Sequence, residues 1–200
     1  MSERFLHELF TPEVLEAQAK QYGRAHQRPG RVDGEDPLGP GEREFLAERD
    51  SVYVATVTSE GWPYVQHRGG PPGFLKVLDG RTLAYADLKG NRQLITTGNL
   101  AGPTGGRVAL IAVDYPRRER LKLLGHARVV EDAALAAKVT PPGRERAVER
   151  VVVIDVVASD WNCPAYLTPR YTVAEIETMA RPLRERVAQL EAEVKALRGG

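Results

Sequence analysis

A chain of 200 residues has room for one well-filled domain, and 42% apolar with 28% charged residues excludes a disordered acidic or basic tail protein. Twenty-eight Lys and Arg against 27 Asp and Glu leave a formal net charge of +1, so attraction to nucleic acid or an anionic membrane would need a local patch. No apolar run approaches the roughly 20 residues of a membrane helix, and a single cysteine, Cys163, behind a start (MSERFLHELF) with no basic-then-apolar leader points to the cytoplasm.

The first predicted element is a helix from Thr11 to His26, where Thr11 can cap and Pro12 suits the first turn. Arg24 to Glu42 is rich in Arg, Gly, Pro and Asp and reads as an irregular connection. A short helix, Glu42 to Arg49, leads into β-branched and aromatic runs bounded by turn residues. These predict strands over Ser51–Ser59, Pro63–Arg68, Phe74–Leu78 and Thr82–Asp87, the last after an Asp79-Gly80 hairpin signal. Lys89 to Gly98 reads as a short helix, followed by strands over Arg107–Tyr115 and Leu121–Glu131 joined by YPRRER. Gly102 to Gly106 (GPTGG) reads as a loose turn. A helix over Ala133–Val139 precedes Val151–Ala158, whose nearly unbroken aliphatic run requires cover on both faces. Thr172 and Glu175 form a capping box for a terminal helix with Leu183, Val187, Leu190, Val194 and Leu197 spaced 4, 3, 4, 3. Pro182 is expected to kink or restart that helix, and its two heptads are expected to pack on the same chain's barrel or on a partner. The sum is a mainly β (α+β) chain with about seven antiparallel strands, peripheral helices and a C-terminal helix.

Several chemistries lack their motifs. There is no phosphate-cradling loop ending in Gly-Lys-Ser/Thr, no complete G-x-G-x-x-G after a strand, no G-x-S-x-G elbow, and four dispersed histidines give no metal-ligand spacing. Four segments remain. GWPYVQHRGGPPGFLKVL (Gly61–Leu78) passes from a strand into five Gly or Pro residues, either a ligand-facing bulge or a plain loop. YADLKGNRQL (Tyr85–Leu94) puts Lys89, Asn91, Arg92 and Gln93 between a strand end and a helix start, the outline of a phosphate site or a solvated turn. In RRERLKLLGHAR (Arg117–Arg128) alternation places Arg118, Arg120 and Lys122 on one strand face. DWNCP (Asp160–Pro164) reads as a loop whose Trp161 either stacks on a planar ligand or caps a core, with Cys163 read as a small packed hydrophobe rather than a reactive thiol.

Taken together, GWPYVQHRGG, AYADLKGNRQ and DWNCP resemble the pyridoxamine 5′-phosphate oxidase-related flavin-nucleotide-binding proteins over residues 42 to 172. The resemblance implies a split antiparallel β-barrel of six to seven strands, a homodimer, and FMN in grooves at the subunit interface. It implies that residues 1–41 precede the FMN-binding barrel (42–172) and that 173–200 form an added helix. Gln66, His67, Arg68 and Gly69 would pass along the flavin ring; Tyr85, Ala86, Asp87, Asn91, Arg92 and Gln93 would hold the phosphate. Arg120 and Lys122 would stand near the phosphate or ring edge, and Trp161 and Asn162 would come from the neighbouring subunit. RGGPPG interrupts the strand where vitamin-oxidising relatives continue, and their C-terminal substrate strand is replaced by a helix. The expectation is therefore an FMN-dependent oxidoreductase of an unidentified small molecule, with no membrane or nucleic-acid partner. The alternatives are a non-catalytic flavin carrier or sensor, and a small β-barrel that binds nucleic acid. A deazaflavin or haem is a further option for this barrel type.

Overall fold

The computed structural model describes residues 2–31 and 37–199. Part of the predicted connection, residues 32–36, lies outside that range. The chain divides into two compact units, Met1–Asp114 with Glu119–Pro164, and Tyr115–Arg118 with Ala165–Gly200.

The first unit opens with three helices, α1 (Glu3–Leu9), α2 (Pro12–Tyr22) and α3 (Pro40–Ala47). The first has no sequence signature: its start lacks a side-chain cap and it buries only Phe5. The second ends at Tyr22 rather than His26, because Gly23 turns left-handed (φ 72°) and returns its N–H to the Ala19 carbonyl. Seven strands follow: β1 (Ser51–Val57), β2 (Pro63–Gly69), β3 (Lys76–Val77), β4 (Thr82–Leu88), β5 (Arg107–Asp114), β6 (Glu119–Val130) and β7 (Val148–Asn162). Helix α4 (Ile95–Ala101) lies between β4 and β5, and α5 (Ala133–Val139) between β6 and β7.

The strands form one antiparallel sheet in the order β2-β1-β5-β6-β7-β4-β3. Its edges are not joined by a ladder, so the barrel is split, as the sequence led one to expect. One core fills the inside, with Val52, Val54, Leu83, Tyr85, Leu121, Leu123 and Ile154 among its members. A smaller core lies under α5 and contains Ala84, Val139, Val151 and Val153. Strand β7 feeds both, Val152, Ile154 and Val156 facing the first and Val151 and Val153 the second. That is why its sequence shows no polar alternation.

Strand β7 also runs past Ala158 to Asn162, so Trp161 and Asn162 belong to a strand and not to a loop. Between Leu124↔Ala158 and Gly125↔Val156 the register passes over Val157, a β-bulge. The extra residue reverses the phase of β7. Ser159 and Trp161 pair with inward Leu123 and Leu121, while Asp160 and Asn162 pair with outward Lys122 and Arg120.

Two glycine-rich stretches are fixed by their surroundings. A Cβ on Gly70 would lie 2.6 Å from Phe74 Cβ, and Gly73 (φ 77°) donates its N–H to the Arg49 carbonyl. Both serve the turn that packs on the end of α3, in agreement with the loop reading. Gly106 (φ 69°) is tightly fitted, since a Cβ there would sit 2.3 Å from the Ala127 carbonyl oxygen. The GPTGG turn is constrained, not loose.

In the second unit, α6 (Val173–Arg198) starts at the predicted capping box, where the Thr172 hydroxyl accepts from Glu175 N–H and the Glu175 carboxylate accepts from Thr172 N–H. The helix runs through Pro182 as one segment. The guanidinium of Arg170 lies 4.9 Å from the Tyr115 ring centroid.

Candidate functional site

Alternation along edge strand β2 splits the predicted ring-facing residues. Tyr64, Gln66 and Arg68 turn to one side, opposite inward Thr56, Val54 and Val52 of β1, and His67 turns to the other, its ring edge-on to Tyr53 at 5.5 Å. Gly69 follows His67, and a Cβ there would meet that imidazole at 2.9 Å.

The inward side forms a cleft of about 200 Å³ lined by Tyr64, Gln66, Arg68, Asp87, Asn91, Arg92, Gln93, Thr96, Thr97 and Glu149, with Leu88, Gly90, Leu94 and Ile95 completing its wall. Asp87 is its pivot. This carboxylate is 8% exposed and faces Arg68 Nη1 at 3.1 Å from β2 and Arg150 Nε at 3.9 Å from β7. Arg68 Nη2 donates to the Thr96 hydroxyl (3.2 Å), and Arg150 Nη1 donates to the Thr97 hydroxyl (3.1 Å). Thus α4 supplies acceptors that aim both guanidinium groups. Among the described residues Arg68 Nε is buried without a hydrogen-bond partner, as is the hydroxyl of Tyr85. The Arg68 guanidinium stands 6.0 Å from the Tyr85 ring centroid. Burial pushes the Tyr85 phenol up to about 12, against the pull of the Arg68 charge and with a smaller upward push from Asp87.

The predicted helix at Lys89 begins instead at Ile95, and the basic segment before it is a loop with two left-handed residues, Arg92 (φ 62°) and Leu94 (φ 54°). Non-glycine residues rarely adopt this region, at a cost of order 1 to 3 kcal/mol each, and such strain gathers at ligand-binding loops. Asn91 holds the turn by accepting from Gln93 N–H at 3.1 Å. Arg92 lines the cleft and pairs with no carboxylate among the described residues.

Gln66, Arg68, Asp87, Asn91, Arg92 and Gln93 are therefore brought together. Tyr85 lies beneath Arg68 in the main core, and Ala86 faces the small core under α5. Arg120, Lys122 and Asn162 form a separate group on the outer face of β6 and β7. Lys122 Nζ is 3.3 Å from Asp160 and 4.9 Å from the Phe5 ring of α1. With its amide oxygen toward Arg120, Asn162 accepts from Nε at 3.3 Å and Nη2 at 3.1 Å, and Arg120 also donates to the Cys163 carbonyl. Trp161 donates to Glu42 at 2.6 Å and meets Phe45 edge-on at 4.9 Å. Cys163 is exposed, against the expectation of a packed hydrophobe. Arg150, Thr96, Thr97 and Glu149 escaped the sequence reading; Arg150 is the cross-strand partner of Asp87, a pairing that only the register shows.

Comparisons with known proteins follow this geometry. No curated protein matches the chain. Among solved structures, HupZ of Group A Streptococcus superposes with a TM-score of 0.50 at 18% identity, over 68% of this chain and 99% of that one. A candidate pyridoxamine 5′-phosphate oxidase of Lactobacillus delbrueckii gives 0.48 at 26% identity, over 64% and 97%. The first of these shows a shared fold. The family model described as pyridoxamine 5′-phosphate oxidase matches residues 39–187, from the start of α3 into α6. It spans the whole sheet and every residue of the cleft: the chain belongs to the pyridoxamine 5′-phosphate oxidase family.

Proposed function

We propose that the protein binds FMN and works as an FMN-dependent oxidoreductase on an unidentified small molecule. The observation that carries this reading is the cleft. Among the described residues Arg68 has a buried, unpartnered Nε, Arg92 is without a carboxylate, and the Thr96 and Thr97 hydroxyls stand beside them. This donor set suits a phosphate monoester, which takes bidentate, charge-assisted hydrogen bonds from guanidinium groups. In this reading Arg68, Arg92, Asn91 and Gln93 hold the phosphate end, with Thr96 and Arg150 fixing the orientation of Arg68 and Asp87.

The cleft of about 200 Å³ is smaller than the roughly 300 to 1,000 Å³ of sites that enclose a whole small ligand. One chain thus suits the phosphate end and not the ring. A homodimer supplies the missing wall, with Trp161 and Asn162 of a second copy offering an aromatic edge and a polar cap. Bound flavin would supply hydride and electron transfer, which leaves this chain to hold the phosphate, exclude water and balance charge. Among the described residues α6, not a further strand, follows β7, which supports a substrate other than the vitamin.

The stripe that suggested nucleic acid is already engaged within the chain, Lys122 by Asp160 and Arg120 by Asn162 and the Cys163 carbonyl. The test is the visible spectrum of the freshly purified protein, with mass identification of whatever heat releases, followed by FMN titration. Yellow protein releasing FMN, and an Arg92→Ala variant binding it roughly ten- to 150-fold more weakly, is expected. Colourless protein that takes up no FMN, or one that releases haem or a deazaflavin, overturns the reading. Bound FMN with no turnover on reduced nicotinamide assigns the protein as a carrier.

A further inference from the structure

Helix α6 has no buried residue, and Leu183, Val187, Leu190 and Val194 on one of its sides are between 42% and 71% exposed. A helix of 26 residues that carries Pro182 inside it has lost one rung of its own ladder and gains nothing from burial. Such a stripe requires a cover.

The arrangement of the stripe says which. Val187 and Val194 occupy one heptad position and Leu183, Leu190 and Leu197 the other, and the same phase runs back through Ala180 and Ile176. β-Branched residues at the first core position with leucine at the second favour a parallel two-stranded coiled coil. Pro182 falls on the outer side, where its ring meets no partner helix. The flanking charges agree. In a parallel, in-register pair, Arg186 lies beside Glu191 of the partner subunit and Glu193 beside Arg198 of the partner subunit. An antiparallel pair that sets Leu183 against Val194 and Val187 against Leu190 would bring Arg184 onto Glu191 and Arg186 onto Glu193, so the charges fit either direction and the valine and leucine positions choose the parallel one. In the single helix these groups pair along its own surface, Arg184 with Glu177 at 2.5 Å and Arg186 with Glu193 at 3.8 Å, both exposed.

We propose that α6 pairs with α6 of a second copy as a parallel, in-register coiled coil centred on Leu183 to Leu197. Of the two covers expected for the seam, the same chain's barrel or a partner, this is the second: four core positions beyond Leu183 continue a phase already present at Ile176. It requires nothing of the cleft. The test uses the full chain with Cys163→Ser as background, to which Leu190→Cys or Ala188→Cys is added singly. Residue 190 is in the seam and residue 188 on the outside, and both are exposed in the single helix, so neither change disturbs folding. Under mild oxidation the Leu190→Cys chain is expected to shift almost wholly to a covalent dimer on a non-reducing gel, while Ala188→Cys stays monomeric. Adding Arg186→Glu should slow the cross-link, and Glu191→Arg on top of it should restore the rate. No cross-link at 190, or equal rates at 190 and 188, overturns the proposal, and so does indifference of the 190 cross-link to Arg186→Glu.

Discussion

At the scale of single residues, Tyr85 and Gly106 carry separable consequences. The Tyr85 phenol is buried and its pKa is held at about 12, against an ordinary value near 10. An unfolded chain therefore releases this proton first. Stability from this group is complete below about pH 10 and falls by roughly 1.4 kcal/mol per pH unit from there to about pH 12. In chemical denaturation at rising pH, Tyr85→Phe should remove that part of the alkaline loss; an unchanged slope would show that the phenol is hydrated. Gly106→Ala should destabilise by more than about 1 kcal/mol, because φ 69° and the Ala127 carbonyl both oppose a Cβ. A thermal midpoint equal to the parent's would contradict this. The sequence marked Arg68, Asp87 and Arg92 correctly as polar residues near strand ends. That Asp87 draws in Arg150 from a neighbouring strand depends on a register that no local pattern encodes.

At the scale of elements, alternation proved a good guide wherever strands were regular. It assigned Leu121 and Leu123 to one face and Arg120 and Lys122 to the other, as observed, whereas Arg118, expected beside them, lies in the left-handed turn (φ 60°) before β6 begins. On β7 it gave no guide, because Val151–Ala158 is aliphatic throughout and the residues beyond were read as a loop, where Val157 in fact adds one residue and inverts the faces of a continuing strand. Trp161 thereby turns inward to Phe45 and Glu42. Deleting Val157 should return Trp161 to the outer face, with a red shift and loss of near-ultraviolet dichroism from this tryptophan. Trp62, 71% exposed, contributes a constant background. A spectrum identical to the parent's would mean that the sheet absorbs the deletion elsewhere. Helix starts were legible where capping chemistry is local, as at Thr172, and illegible at α1, which owes its existence to tertiary contacts. The basic segment after β4 was placed in a helix on the strength of Lys89, Arg92, Gln93 and Leu94, but Gly90 and Asn91 are poor helix formers and left-handed Arg92 and Leu94 delay the first turn to Ile95.

For the whole molecule, the split sheet joins opposite ends of the strand order through side chains. Arg68 on edge strand β2 reaches Asp87 on β4, next to the other edge. Asp87→Asn leaves two guanidinium groups without their shared carboxylate, and a loss of about 2 to 4 kcal/mol in urea unfolding is expected for a mostly buried pairing of this kind. The same variant should bind FMN no more weakly than the parent, since it removes a competing anion. Calorimetric titration that shows both lower stability and lower affinity would argue against the role assigned to Asp87.

The shared carboxylate has one more effect. Because Asp87 supplies counter-charge from within, Arg68 and Arg150 are held in place by the protein itself. On the proposed reading, maturation and loading would then be separate events, the chain reaching its native state without its guest and being charged afterwards. Any guest raises the melting point only through mass action. Refolding in the absence of added nucleotide should give the same yield as in its presence, with the vacant protein serving as a reserve that is filled as supply recovers.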